Sequence, residues 1–276
     1  MEYLQLSDLS LNDLKEAIRV YQSLDFNVCS ISDADKQFRL IIKHFIIQTI
    51  FWDAPIIYRA RKHTDKSLFK NVEELIYPKN PTTLGRLNNI GQPLFYGASD
   101  HNTAIFELRP KRGDEITVLE SRIINSVHLP KFTEVGIREL LIKQNHSPEF
   151  IEQNKIVLAK NLMTEDNKKR YNLINNFLVS EITKIIGSNK THMYKGTIAI
   201  AQFYLDNKMA DGMVYPSISR SGTECIAMKP ESYHRFYRPD RSFKCKIVNV
   251  DSSGGLTVRC VDNSTNIDRN GNITWT

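Results

Sequence analysis

Apolar residues in the first fifty positions recur at helical spacing. Behind Ser10, a good capping residue, Leu11, Leu14, Ile18 and Tyr21 share one face of a 3.6-residue period. Ser32, followed by Asp33 and Asp35, reads as the start of a second helix whose Phe38, Ile41, Ile42, Phe45 and Thr49 turn inward. The texture changes at Asp53-Ala54-Pro55. Ile56-Ile57-Tyr58-Arg59 is β-branched and aromatic, as strands are. Leu94-Phe95-Tyr96, after the turn signal Gly91-Gln92-Pro93, and Glu115-Ile116-Thr117-Val118-Leu119 read as further strands, with a short helix at 103–108 between them. From Ser147, with Pro148 suited to a first helical turn, the helical period returns and runs to about Gly187. Its stripe is Tyr171, Ile174, Leu178, Ile182 and Ile185. One more helix is expected over 197–205 and a strand at Met213-Val214-Tyr215. The tail alternates as strands do over 243–250 and 256–261, and Asn270-Gly271 is a hairpin signal. This order predicts an α+β chain.

Composition narrows the classes. The chain has 276 residues, 41% hydrophobic and 25% charged, which is ordinary for a folded protein and excludes a disordered or fibrous one. The longest apolar run, 45–52, is broken by Gln48 and Thr49 and falls far short of the roughly 20 residues needed to cross a bilayer. Met1-Glu2-Tyr3-Leu4-Gln5 has neither a basic nor an apolar leader segment, so a cytoplasmic location is expected. Cys29, Cys225, Cys245 and Cys260 lack the spacing of a zinc site and read as buried or half-buried free thiols. The seven histidines show no metal-binding pattern, so no metal is expected. A net charge of +6 favours anionic partners, among them nucleotides, nucleic acid or an acidic protein, without choosing among them.

Four segments carry the candidate chemistry. They are Tyr58-Arg59-Ala60-Arg61; Gly85-Arg86-Leu87-Asn88 with Gly91-Gln92-Pro93-Leu94-Phe95-Tyr96-Gly97; Thr103-Ala104-Ile105-Phe106-Glu107; and Asp211-Gly212-Met213-Val214-Tyr215-Pro216-Ser217. In this order and spacing they resemble the RES domain family, named for its arginine, glutamate and serine. The likeness runs from about Tyr58 to about Met228, and Tyr194 and Thr197 match a further Y-x-x-T segment. Leu84 stands where the family often has a second glycine, and Ile218 separates serines that the family often has side by side.

The resemblance implies an ADP-ribosyltransferase-like mixed β core with flanking helices, here carrying additions at both ends. The expected organisation is a helical extension over 1–52, the RES-like catalytic domain over 53–236 with a long helical insertion at about 129–188, and a β-hairpin or meander over 237–276. It also implies an enzyme that consumes NAD as substrate, with no cofactor, cleaving the nicotinamide–ribose bond by hydrolysis or phosphorolysis. Such family members are toxins of bacterial toxin–antitoxin pairs, so a partner antitoxin with a helix-turn-helix DNA-binding part is expected. Association with a second copy of the chain stays open. The alternatives are a protein ADP-ribosyltransferase and a non-catalytic basic protein that binds nucleic acid.

Carried over by residue, the resemblance makes Glu107, Tyr96 and Arg59 the catalytic set. Arg59, Arg86, Tyr96 and Ser217 would bind NAD. The residue types suit the task. A guanidinium fork fits phosphate oxygens, a tyrosine ring can stack on nicotinamide, and a carboxylate can stabilise an oxocarbenium-like sugar. Serine lacks a neighbouring base and reads as a hydrogen-bonding residue, not a nucleophile. Arg61 shares a strand face with Arg59 and is its rival for the phosphate; Ser219 is the rival of Ser217.

Overall fold

In a computed structural model, residues 10–43, 49–51, 54–63, 67–125, 127–137, 164–206, 210–251 and 255–276 are described. Two serines start the N-terminal helices. Ser10 caps α1 (Leu11–Gln22): its Oγ accepts the Asp13 amide at 3.1 Å, and the Asp13 carboxylate accepts the Ser10 amide at 3.1 Å. The second helix, α2 (Ile31–Ile42), opens on Ser30 and Asp33 in the same way, two residues before the expected Ser32. Both serines have an aspartate three residues on, and the earlier one prevails. With the cap at Ser30, Asp35 is left to pair with Arg39 at 2.7 Å. Phe45 and the cap at Ser147-Pro148 lie outside the described residues. Thr49 is not helical; it begins strand β1 (Thr49–Phe51) and is exposed.

The strands are β2 (Ile56–Lys62), β3 (Phe95–Ala98), β4 (Glu115–Ile123), β5 (Lys131–Glu134), β6 (Gly212–Pro216), β7 (Glu224–Met228), β8 (Tyr237–Val250), β9 (Leu256–Ile267) and β10 (Ile273–Trp275). They form one mixed sheet in the order β1-β5-β6-β7-β3-β2-β4-β8-β9-β10. Only β5 and β6 run parallel within this order. A parallel pair needs a long crossover, and the described part of it carries α5 (Glu165–Ile182) and α6 (Tyr194–Leu205). Thr164 caps α5, and the helix ends at Ile182, so Ile185 falls outside the expected stripe and is exposed. The helices α3 (Glu73–Ile76), α4 (His101–Phe106) and α7 (Pro230–Phe236) are short.

Alternation along the strands divides the core. Met213 and Tyr215 face a layer made by α1, α2, α5 and α6, with Tyr21, Phe38, Phe177 and Tyr204 fully or nearly buried in it. Val214 faces the other way, into a core with Ile57, Phe95, Leu119 and Tyr233. A third cluster sets Ile105 of α4 against Ile116, Val118, Cys245 and Ile247. The N-terminal helices are tied to α6 by polar contacts too. The Tyr21 hydroxyl donates to the Gly196 carbonyl at 2.8 Å, and Lys195 Nζ donates to the carbonyls of Phe26 and Cys29 at 2.9 and 3.0 Å. At the other end, β8 pairs with β4 along its length, so the C-terminal strands continue the same sheet as a meander. All four cysteines are free, and Cys260 is exposed, contrary to the expectation, because β9 lies near the sheet's edge. Among the described residues no helix is long and apolar enough to cross a membrane.

Candidate active site

Beside β3, a cleft of about 220 Å³ opens between α4 and strands β2, β3, β6 and β7. Tyr58, Arg59, Tyr96, Glu107, Tyr215 and Cys225 are among the residues that line it. Each arrives by a local rule. Asp100 caps α4, its Oδ1 accepting the Thr103 amide at 3.0 Å, and the helix lasts six residues before Glu107 terminates it. Glu107 is thereby placed at the helix's far end, half-buried. Ser217, at the end of β6, is buried and donates its hydroxyl to Glu107 Oε1 at 2.5 Å. Ser219 contributes its amide to the same oxygen at 3.4 Å, so its part is played by the backbone.

Tyr96 is held by the loop that carries the GRxN motif. Its hydroxyl accepts the Leu87 amide at 2.9 Å and donates to Asn88 Oδ1 at 2.8 Å. Gly85 makes this arrangement fit, since a Cβ there would stand 2.2 Å from Asn88 Oδ1. Burial pushes the Tyr96 phenol well above its ordinary value, the Leu87 amide opposing it. The hydroxyl therefore stays protonated and engaged, and what Tyr96 offers the cleft is its ring.

The three arginines separate. Arg59 spans the gap where β2 and β3 splay: Nη1 donates to the Tyr96 carbonyl at 2.9 Å, and the guanidinium carbon lies 5.8 Å from the Phe95 ring centre. Its Nε is sealed from solvent with no partner, and among the described residues no carboxylate pairs with it. Burial, and then repulsion from Arg61, holds its pKa down at about 10. Arg61, two residues on, donates to the Glu74 carbonyl beside the Phe69 ring and is not a lining residue. Arg86 donates through Nη1 to the carbonyls of Ile182 and Lys184 at 2.6 and 3.0 Å, closing the end of α5, and lies over the Tyr194 ring at 5.6 Å. Thr197 donates to the Arg86 carbonyl, so the Y-x-x-T segment braces this arginine. The structure brings Arg59, Tyr96, Glu107 and Ser217 together, with the Ser219 amide. It does not bring Arg86 or Arg61 to the cleft wall.

Compared with protein-family models, curated proteins and solved structures, this chain matches none.

Three further residues belong to the site. Tyr215 and Cys225 face the cleft from β6 and β7; burial raises both the phenol and the thiol well above their ordinary values, and the Glu107 carboxylate raises the Cys225 thiol further. Tyr215 lies inside the DGxxYPS motif and reads from sequence as a strand residue. Cys225 carries no signal in the sequence. The third, Arg220, donates its backbone amide to Ser217 Oγ at 3.1 Å. It lies among serines with nothing in the local pattern to mark it. Among the described residues no group of three potential ligands could hold a metal ion. Chemically, the cleft offers a fixed carboxylate, aromatic walls and an uncompensated positive charge.

Proposed function

We propose that this chain is an enzyme that cleaves the nicotinamide–ribose bond of NAD, on a fold of the ADP-ribosyltransferase kind. The observation that carries this reading is the fixed carboxylate of Glu107 in an aromatic-walled cleft beside an arginine that no carboxylate neutralises. The cleft volume is below the roughly 300–1,000 Å³ of common small-molecule pockets, which suits the nicotinamide and its ribose better than a whole dinucleotide. The Tyr96 and Tyr215 rings provide stacking faces for nicotinamide. As the C1′–N bond breaks, its electron pair leaves with nicotinamide and positive charge develops on the ribose. Glu107 stabilises that charge. Water then bonds to C1′ through its oxygen and releases one proton to solvent, or a phosphate oxyanion bonds there with no proton to lose. Arg59 draws the diphosphate and holds it by charge-assisted hydrogen bonds. Ser217 aims Glu107 and takes no covalent part.

An enzyme that consumes NAD inside its own cell requires restraint, and the resemblance to the RES family implies an antitoxin partner with a helix-turn-helix part. The deciding experiment incubates purified protein with NAD and phosphate and follows products by chromatography. Nicotinamide release is expected, with ADP-ribose or its 1″-phosphate as the second product. ADP-ribose found on a protein side chain instead would assign transferase activity. A folded protein that releases no nicotinamide under these conditions overturns the reading.

A further inference from the structure

The loop behind Ser217 grips both ends of α4 through Arg220. Its guanidinium Nη1 donates to Asp100 Oδ1 at 2.8 Å and to Thr103 Oγ1 at 3.2 Å, at the start of the helix. Its backbone amide donates to Ser217 Oγ, which donates in turn to Glu107 at the helix's other end. A serine hydroxyl has one proton. With the Arg220 amide placed on the acceptor side of Oγ, that proton is directed to Glu107 Oε1. The turn is closed by the Ser217 amide donating to the Thr223 carbonyl and by Thr223 Oγ1 donating to the Arg220 carbonyl, both at 2.9 Å. Asp100 thus serves twice, as the cap of α4 and as the anchor of the loop.

We propose that Arg220 is a positioning residue for Glu107: it fixes Ser217 through its backbone and locks that loop to Asp100 through its side chain, so the carboxylate keeps one orientation toward the cleft. This rests on the reading that Glu107 faces the reacting sugar. A purely structural role is a poor account of the contact. The Arg220 and Asp100 side chains are 39% and 37% exposed, and ion pairs this open add little to stability. Variants at Arg220 should therefore fold.

The test uses the full chain with NAD. Arg220→Gln is expected to lower kcat roughly tenfold, the scale of one weakened hydrogen bond to a charged group, with KM for NAD within about twofold. Arg220→Lys keeps the ion pair to Asp100 and should recover most of the rate. Ser217→Ala should cost at least as much as Arg220→Gln, and the double variant no more than Ser217→Ala alone, because Arg220 acts through that hydroxyl. Unchanged kcat in a folded Arg220→Gln protein, or losses that multiply in the double variant, would overturn the proposal. If the parent protein releases no nicotinamide, the NAD reading fails, and amide exchange judges the positioning without substrate. Arg220→Gln should then speed exchange at the Ser219 and Arg220 amides about tenfold while α6 is unaffected. Unaltered exchange at those amides overturns it.

Discussion

The cleft and the C-terminal ribbon are parts of one sheet, and they treat polar groups in opposite ways. In the ribbon, β9 is exposed over most of its length, and Arg122 pairs with Asp240 at 3.0 Å on the surface. Water can replace such a partner, so the pair contributes little. What holds the ribbon is backbone pairing, the turn at Asp268–Gly271 with its bond from Asn71, and the Trp275 indole donating to the Phe69 carbonyl. In the cleft, Arg59 Nε is sealed without a partner, and Glu107, Ser217 and Arg220 form a chain in which each group directs the next. Water does not reach the sealed Nε or the buried Ser217. A group removed from the cleft should alter chemistry with little loss of fold, whereas a change in the ribbon should alter stability with little loss of chemistry.

The sharpest test of that contrast is Glu107→Gln. Removing the charge that faces the developing cation is expected to cost about 100- to 1,000-fold in nicotinamide release, with the melting temperature close to the parent's. A folded Gln variant with unchanged turnover removes Glu107 from the site. Arg59→Met comes next. Loss of a charge-assisted phosphate contact should raise KM for NAD by roughly 1.5–3 kcal/mol in binding terms. Because Arg59 holds a buried charge with an orphaned Nε, the same variant should be as stable as the parent or more so, read by urea denaturation. A large loss of stability would mean that the arginine is structural.

The ribbon is probed by Gly271→Ala. Gly271 has φ +80°, and an added Cβ would meet Val72 Cγ2 at 2.7 Å, so about 1–3 kcal/mol of stability should be lost, with activity per folded molecule retained. The smallest effect is a pH dependence at the same turn. Hydrogen bonds, first from the Asn272 side chain and then from backbone amides, hold the Asp268 carboxyl below its ordinary value. A lowered carboxylate pKa stabilises the fold above the unfolded value, near pH 4, and that contribution is lost as pH falls through the folded value. In acid titrations the parent should therefore be more stable than Asp268→Asn above about pH 4, and the difference should shrink as pH falls below it. A difference that persists unchanged below about pH 4 would place the effect elsewhere.

Much of the architecture was legible because it follows local rules. The cap at Ser10, the stripe at Leu14, Ile18 and Tyr21, the β-branched run at 56–59, and Asn270-Gly271 each act over a few residues, and each appears where expected. Ser30 was missed for Ser32 because both offer the same capping spacing, with an aspartate three residues on.

The site divides along the same line. Sequence alone determined which residue types could meet: Tyr58 to Arg61, the GRxN loop, Glu107 and Ser217 carry a readable order and spacing. Tertiary structure decided which of them do meet. Arg59 and Arg61 share a strand and differ by two residues, yet one spans the gap between β2 and β3 while the other binds a carbonyl of α3. Arg86 was drawn to the end of α5, 96 residues further along the chain, by carbonyls that a helix terminus leaves unsatisfied. Arg220 entered the site through Asp100, 120 residues earlier. A short sequence window records propensity and periodicity. The partner of a guanidinium is set by how strands splay and where helices end, and only the folded chain brings those groups within a hydrogen bond's reach.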